Sequence, residues 1–221
     1  MPLFKTIHIN HNTTIFLWKI TEEYHQLFQE VTLKDISLAR LEGMKSESHQ
    51  KGFLSVRMLL QYCGYSDFDL IYDELGKPHL KDGKHISVSH SFDFAAIALS
   101  NESIGIDIEL IKEKVLRIAP RFMEMWHLEN LSKIEQMKKA TVIWGTKEAI
   151  FKIKSEQGIS FPDHIFEKDF SLSDKKCIAE LHFNSIVENF DISFEEINAD
   201  SNQSEQKYML VCALSENRNA K

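Results

Sequence analysis

Ile104-Gly105-Ile106-Asp107-Ile108-Glu109 is the stretch on which the reading of this chain turns. Apolar and acidic residues alternate here with a period of two. In a strand that period sends Ile106 and Ile108 to one face and Asp107 and Glu109 to the other. The expectation is an apolar face in the core and an acidic face on a cleft. Two carboxylates this close repel each other unless a positive charge sits between them. A hard divalent cation such as Mg²⁺ takes oxygen ligands and leaves positions for phosphate and water. A blander reading stands beside this one. With 33 acidic residues in 221, acid-x-acid triplets arise by chance, and Asp67-Phe68-Asp69 is another.

Upstream, Asn101-Glu102-Ser103 is a turn, and Ala95–Leu99 and Ile86–Val88 are short apolar runs. Asp73-Glu74-Leu75-Gly76-Lys77-Pro78 and Lys81-Asp82-Gly83-Lys84 carry turn signals, so the region from 68 to 108 reads as a meander of short strands. Before it, Phe53, Val56, Leu59 and Leu60 make one face of a helix over 47–62, ended by Cys63-Gly64-Tyr65 with Gly64 as the cap. Thr14–Ile20 reads as an early strand, and a helical stretch starts at Thr21, Glu23 and Tyr24. Downstream, apolar positions at Met137, Val142, Ile143, Trp144, Ile150 and Phe151 predict helix through 121–153, closed by Gly158 and Pro162. Strands are expected at 177–183, 190–194 and 208–214, a polar loop at 198–206 and a frayed tail at 215–221. Each half runs from helix to short strands and ends in a strand of small residues, Ala95–Leu99 and Met209–Leu214. This suggests an internal duplication, with an N-terminal half at 1–104 and a C-terminal half at 105–221.

Composition narrows the classes. A net charge of −7 and a pI of about 5.8 give no basic footprint for nucleic acid. Cys63, Cys177 and Cys212 are odd in number and form no CxxC pair, which reads as reduced thiols in a cytosolic protein. The N-terminus lacks the apolar core of a signal peptide. No apolar run approaches the roughly 20 residues of a membrane span. The expectation is a soluble, cytoplasmic protein with no membrane partner. The loops GxxxxGK[S/T], GxGxxG and GxSxG do not occur, against P-loop ATPases, Rossmann dehydrogenases and α/β-hydrolases.

Three further groups carry possible chemistry. Trp144, Glu148 and Lys152 are spaced i, i+4, i+8 on one helical stripe. Glu148 and Lys152 are either an ordinary exposed pair or a third carboxylate ligand with a phosphate contact. His90, between Ser89 and Ser91, either donates to a phosphate held by the Ser-rich backbone or is a satisfied structural histidine. In Gly76-Lys77-Pro78, Lys77 is a turn lysine on first reading, while the fixed bend is also suited to pressing on a planar ring. Lys112, Lys114, Arg117 and Arg121 are a solvated helix face or a local basic patch.

Taken in order, Gly76-Lys77-Pro78, Ser89-His90-Ser91, Gly105-Ile106-Asp107-Ile108-Glu109 and Trp144-x-x-Lys147-Glu148-Ala149-x-x-Lys152 resemble the 4′-phosphopantetheinyl transferases of the broad-specificity, surfactin-synthetase-activating (Sfp-like) type. The helix segment Phe53-Leu54-Ser55-Val56-Arg57 fits the same pattern, and the matching region covers residues 51 to 153. Each motif is weak alone; their joint order and spacing is specific. The resemblance implies an α+β fold of two similar halves, each a small antiparallel sheet packed with a helix, with the active site in the cleft between them. It implies transfer of the 4′-phosphopantetheine arm of coenzyme A to a serine of an apo acyl or peptidyl carrier protein, releasing adenosine 3′,5′-bisphosphate. Asp107, Glu109 and Glu148 would hold Mg²⁺ against the pyrophosphate. His90 and Lys152 would contact phosphates with help from Ser89. Arg57 would reach the ribose-phosphate side, and Gly76-Lys77-Pro78 would line the adenine. The catalytic set implied is Glu148, Lys152 and His127, in a monomer with pseudo-twofold symmetry.

Two departures from the family pattern stand out. His49 and Gln50 occupy the places of a basic pair before the helix arginine, with Lys51 beside them. His127 falls where some relatives carry a glutamate proposed as the base, with Glu124 and Glu129 nearby; a metal-bound water is the other acceptor. A homologue that binds coenzyme A or a carrier without transfer is the alternative reading, and an unrelated metal-dependent phosphohydrolase a third.

Overall fold

The structure, a computed structural model, describes residues 3–199 and 206–216. The expected loop at 198–206 and tail at 215–221 fall for the most part outside the described residues. The chain divides into two units, Met1–Glu102 and Ser103–Lys221. It is α+β throughout, with antiparallel sheets.

In the first unit β1 (Leu3–Asn10) and β2 (Thr13–Lys19) form a hairpin, followed by α1 (Tyr24–Glu30), α2 (Asp35–Glu42) and α3 (Glu47–Tyr62). A short ribbon of β3 (Leu70–Tyr72) and β4 (Pro78–Leu80) precedes β5 (His85–Ser91) and β6 (Phe94–Ser100). The main sheet has the order β1-β2-β6-β5. The 3.6-residue period in α3 is met: Leu54, Leu59 and Leu60 are fully buried against Trp18, Ala95 and Ile97. Each such leucine contributes about 1.5–3 kcal/mol of transfer free energy. Helix α3 stops where the sequence says it should. Gly64 takes φ 84°, its N–H donates to Gln61 O, and the Tyr65 N–H donates to Leu60 O. These two bonds make a Schellman motif, which satisfies carbonyls the helix end leaves open.

The second unit opens with β7 (Ile104–Leu110) and α4 (Lys114–Ile118), then the long α5 (Lys133–Lys154), the single turn α6 (Phe161–His164) and strands β8 (Ile165–Glu167), β9 (Lys176–Phe183), β10 (Ile186–Asn198) and β11 (Lys207–Ser215). Its sheet runs β7-β11-β10-β9-β8, every neighbouring pair antiparallel. Val142, Ile143, Ala149 and Ile150 of α5 bury against Val211, Ala213, Phe190 and Leu181 of the sheet.

The expected helix over 121–153 is interrupted. Single 3₁₀ turns at Ala119–Arg121 and Met125–Leu128 fill its first part, and α5 begins only at Lys133. Asn130 sits in the left-handed region at φ 59°, which a helix interior does not accommodate. The helix restarts at a capping box. Ser132 Oγ accepts from Glu135 N–H at 3.4 Å, and a Glu135 carboxylate oxygen accepts from Ser132 N–H at 2.9 Å. Elements not anticipated from periodicity include β1, α2, α6 and β8. No helix among the described residues is long and apolar enough to cross a membrane.

Candidate active site

In the second unit the site grows from the contact of β7 with α5. The two elements approach until backbone meets backbone. A Cβ on Gly105 would stand 1.9 Å from Ala149 O, and one on Gly145 would stand 2.7 Å from Val211 Cγ2 and 3.7 Å from Asp107 Cβ. Only glycine allows that approach. Asp107, paired with Val211 in the sheet, is thereby drawn under the helix and is 5 % exposed. Asp107 lies on the face that α5 covers, while Ile106 and Ile108 are fully buried on the other. Alternation places Glu109 on the Asp107 face, and it is half-buried.

Glu148 and Lys152, one turn apart on α5, meet this strand. Lys152 Nζ donates to Asp107 Oδ1 at 2.9 Å and to Ile106 O at 2.8 Å. Burial raises the Glu148 acid above the usual carboxylate range. The negative charge of Asp107 adds to the rise, and Lys152 opposes it. Asp107, Glu148 and Lys152 are therefore one electrostatic group. Among the described residues, no three His, Cys, Asp or Glu side chains are gathered into a ready metal-ligand set. The donor chemistry of Asp107 and Glu148 nonetheless fits a hard divalent ion: both offer oxygen ligands, and a cation between them would relieve their mutual repulsion.

The rest of the Trp144–Lys152 motif looks inward. Trp144 packs edge-on against Phe122 at 5.1 Å and Phe161 at 5.7 Å. Lys147 is 2 % exposed, pairs with Glu167 at 2.8 Å, and donates to the carbonyls of Phe161 (3.2 Å) and Ile165. It pins the 161–167 segment to α5. Desolvation lowers the Lys147 pKa and raises that of Glu167, each opposed by the partner's charge. Glu167 is a residue that sequence reasoning passed over, because twenty positions and a chain reversal separate it from Lys147.

His127 lies elsewhere in this unit, 4 % exposed and stacked on Trp126 at 3.7 Å. Burial, and then the charge of Lys139, lower its pKa from 6.5 to about 4, so it is neutral at pH 7. Its Nδ1 has no hydrogen-bond partner among the described residues. Glu124 and Glu129 are exposed.

In the first unit His90 is exposed near the end of β5, its ring 6.0 Å from that of His49 on α3. A Cβ on Gly52 would stand 2.9 Å from the His90 ring, so Gly52 is the platform on which the imidazole lies. Alternation sends Ser89 to the opposite face of β5, where it is buried. Arg57 is 3 % exposed. Its Nε donates to Asp67 Oδ1 at 3.0 Å and its Nη1 to Phe53 O at 3.3 Å, with the guanidinium 3.4 Å from the Phe53 ring centroid. It is committed to the interior of its unit. Asp67, treated above as a chance acid, is its partner. Gly76-Lys77-Pro78 closes the β3–β4 ribbon with Gly76 at φ 83°. Asp73 builds that turn: its Oδ1 accepts from Leu75 N–H at 3.0 Å and Lys77 N–H at 2.9 Å, and its Oδ2 meets His79 Nε2 at 3.0 Å. These bonds, His79 first, hold the Asp73 carboxyl below its usual range. His85 is shifted down by burial and then by the nearby charges of Lys77 and His79.

A carboxylate pair countered by lysine, on a helix and strand held together by two glycines, defines a site suited to a cation and a phosphate. Comparison with known proteins specifies the class. No model of a known protein family matches the chain. The 4′-phosphopantetheinyl transferase ffp of Bacillus subtilis is 30 % identical over 151 residues, covering 64 % of this chain and 67 % of the relative. Sfp of Bacillus subtilis strain 168 is 34 % identical over 102 residues (44 % of this chain, 45 % of the relative), and gsp of Aneurinibacillus migulanus 29 % over 102 residues (43 % of each). With these last two the match spans less than half of either relative's length. The chain belongs to the 4′-phosphopantetheinyl transferase family, of the Sfp-like type.

Proposed function

We propose that the protein is a Mg²⁺-dependent, cytoplasmic transferase that moves the 4′-phosphopantetheine arm of coenzyme A to a serine of an apo acyl or peptidyl carrier protein. The observation that carries the reading is the meeting of Asp107, Glu148 and Lys152 at the β7–α5 contact in a chain of this family. The serine hydroxyl attacks the phosphorus next to the pantetheine arm, the bond to the bridging oxygen breaks, and adenosine 3′,5′-bisphosphate leaves with the electron pair. Asp107, Glu148 and Glu109 would hold the metal, which supplies neutralisation of charge growing on the phosphoryl oxygens. Lys152 adds a second positive charge on the same side. His90, on its Gly52 platform, would donate to a phosphate, with Ser89 lending backbone. Gly76-Lys77-Pro78 would line the adenine.

Two assignments depend on movement. Arg57 reaches a phosphate only if its ion pair with Asp67 opens. His127 takes the serine proton only if the 125–128 turn opens. Glu148, half-buried beside Asp107 and Lys152, is the acceptor we favour. Duplication of the two units, a cleft shared by them and a monomeric state belong to the same proposal.

The test is mass spectrometry of apo carrier proteins incubated with the protein, coenzyme A and Mg²⁺. The expected result is one phosphopantetheine per carrier, lost in Asp107→Ala. No adduct on any of several carriers overturns the reading. The committed Arg57 and the His49-Gln50 pair favour a second reading, a homologue that binds coenzyme A or a carrier without transfer. Calorimetric binding of coenzyme A without turnover would establish that one.

A further inference from the structure

We propose that Lys152 is the resident counter-cation of the carboxylate group: its ammonium occupies the Asp107 oxygen that a divalent ion would take, and metal binding dislodges it toward the incoming phosphate. The inference rests on the reading of Asp107 and Glu148 as metal ligands. Lys152 Nζ has a defined seat, 2.9 Å from Asp107 Oδ1 and 2.8 Å from Ile106 O. The two partners differ in freedom. The Asp107 side chain is 6 % exposed and its backbone is pinned by the contact of Gly105 with Ala149, while the Lys152 side chain is 28 % exposed. Lysine is therefore the partner that can leave, by rotating its stem into solvent with α5 and β7 unmoved.

Lys147, five residues earlier on the same helix and turned toward the interior, supplies the contrast. Its pair with Glu167 is 2 % and 3 % exposed and holds two further carbonyls. Removing one partner of such a buried pair is strongly destabilising, whereas a partly wet pair contributes little. One lysine of the motif is built to stay and the other to move.

The experiment uses the full chain with Mn²⁺ alone, without coenzyme A or carrier, free metal being read by electron paramagnetic resonance. Lys152→Met and Lys152→Gln should bind Mn²⁺ at least about tenfold more tightly than the native chain. Lys154→Met removes the same charge two residues on, from a lysine that pairs with Glu188 and Glu156, and should leave the affinity within about twofold. In the native chain, saturating Mn²⁺ should raise acetylation of Lys152 by acetic anhydride severalfold, measured on peptides by mass spectrometry. Unchanged or weaker affinity in both Lys152 variants, equal tightening in Lys154→Met, binding by none of the chains, or unchanged labelling would overturn the proposal. Carrier modification without this exchange sinks the counter-cation and leaves the transferase; exchange without carrier modification does the reverse.

Discussion

A methyl group on Gly105 would sit 1.9 Å from the Ala149 carbonyl oxygen, and both are backbone-anchored. Neither can turn aside, so Gly105→Ala must push α5 off β7. The expected loss is about 3 kcal/mol or more, at the top of the overpacking range, read as a lower urea midpoint at constant slope. Gly145→Ala meets a side chain instead, Val211 Cγ2 at 2.7 Å, and should cost less, about 1–2 kcal/mol. Combining it with Val211→Ala should cost less than the sum of the two single changes, because the added methyl enters the space the valine leaves. His127 carries a different signature. Its folded pKa, about 4, lies below the unfolded 6.5, so the native state keeps the ring neutral while the unfolded chain takes up a proton. Its contribution is complete above pH 6.5, falls as pH drops toward 4, and then levels off. At about 1.4 kcal/mol per unit, that displacement bounds the loss at about 3 kcal/mol. His127→Phe, which can keep the stack on Trp126, should flatten stability between pH 6.5 and 4. An unchanged slope would show that other groups produce it.

Helix α5 carries Trp144, Lys147, Glu148 and Lys152, and its starting point sets their phase. Ser132 and Glu135 fix that start by their reciprocal cap. Ser132→Ala should cost about 1 kcal/mol, seen as a lower melting temperature, with Mn²⁺ affinity retained because the site lies four turns on. The Ser-x-x-Glu box and the Asn130 turn are both in the sequence, yet apolar spacing alone ran the helix straight through them. Local punctuation outweighed periodicity there. Where both signals agreed, as in α3 with Phe53, Leu59 and the Gly64 cap, the element ran as expected from Glu47 to Tyr62. The site was legible to the same extent. Strand alternation put Asp107 beside Glu109 and the i, i+4 step put Glu148 beside Lys152, while the grouping of the two pairs came from the family resemblance and not from spacing. The pairings Arg57–Asp67 and Lys147–Glu167, and the bed of Gly52 under His90, depend on where distant segments fold back, which no local pattern encodes. Asp73 was closer to hand: an aspartate opening a Gly-Lys-Pro turn is an ordinary turn organiser.

Over the whole chain the charge is −7, and under the proposed reaction the partner presents an acidic helix. Long-range repulsion must then be overcome locally. Lys112, Lys114, Arg117 and Arg121 are exposed on and around α4 and the turn that follows it. Of the apolar residues beside them, Phe122 is buried at 2 %, held by its contact with Trp144, and cannot offer a docking surface. Met125 at 45 % and the adjoining Trp126 at 48 % do so instead. A basic stripe beside an exposed Met–Trp step suits an acidic amphipathic helix. The charge reversal Arg117→Glu with Arg121→Glu should therefore raise the apparent KM for the carrier about tenfold with kcat held at saturating carrier, since rim charges act on encounter. The salt dependence should also change sign. Added salt screens the local attraction and slows the native protein at low carrier concentration, whereas in the reversed variant only repulsion remains and salt should speed it. Steady-state rates at two ionic strengths decide the matter, and a variant with the native KM and the native salt slope would place the carrier on another face.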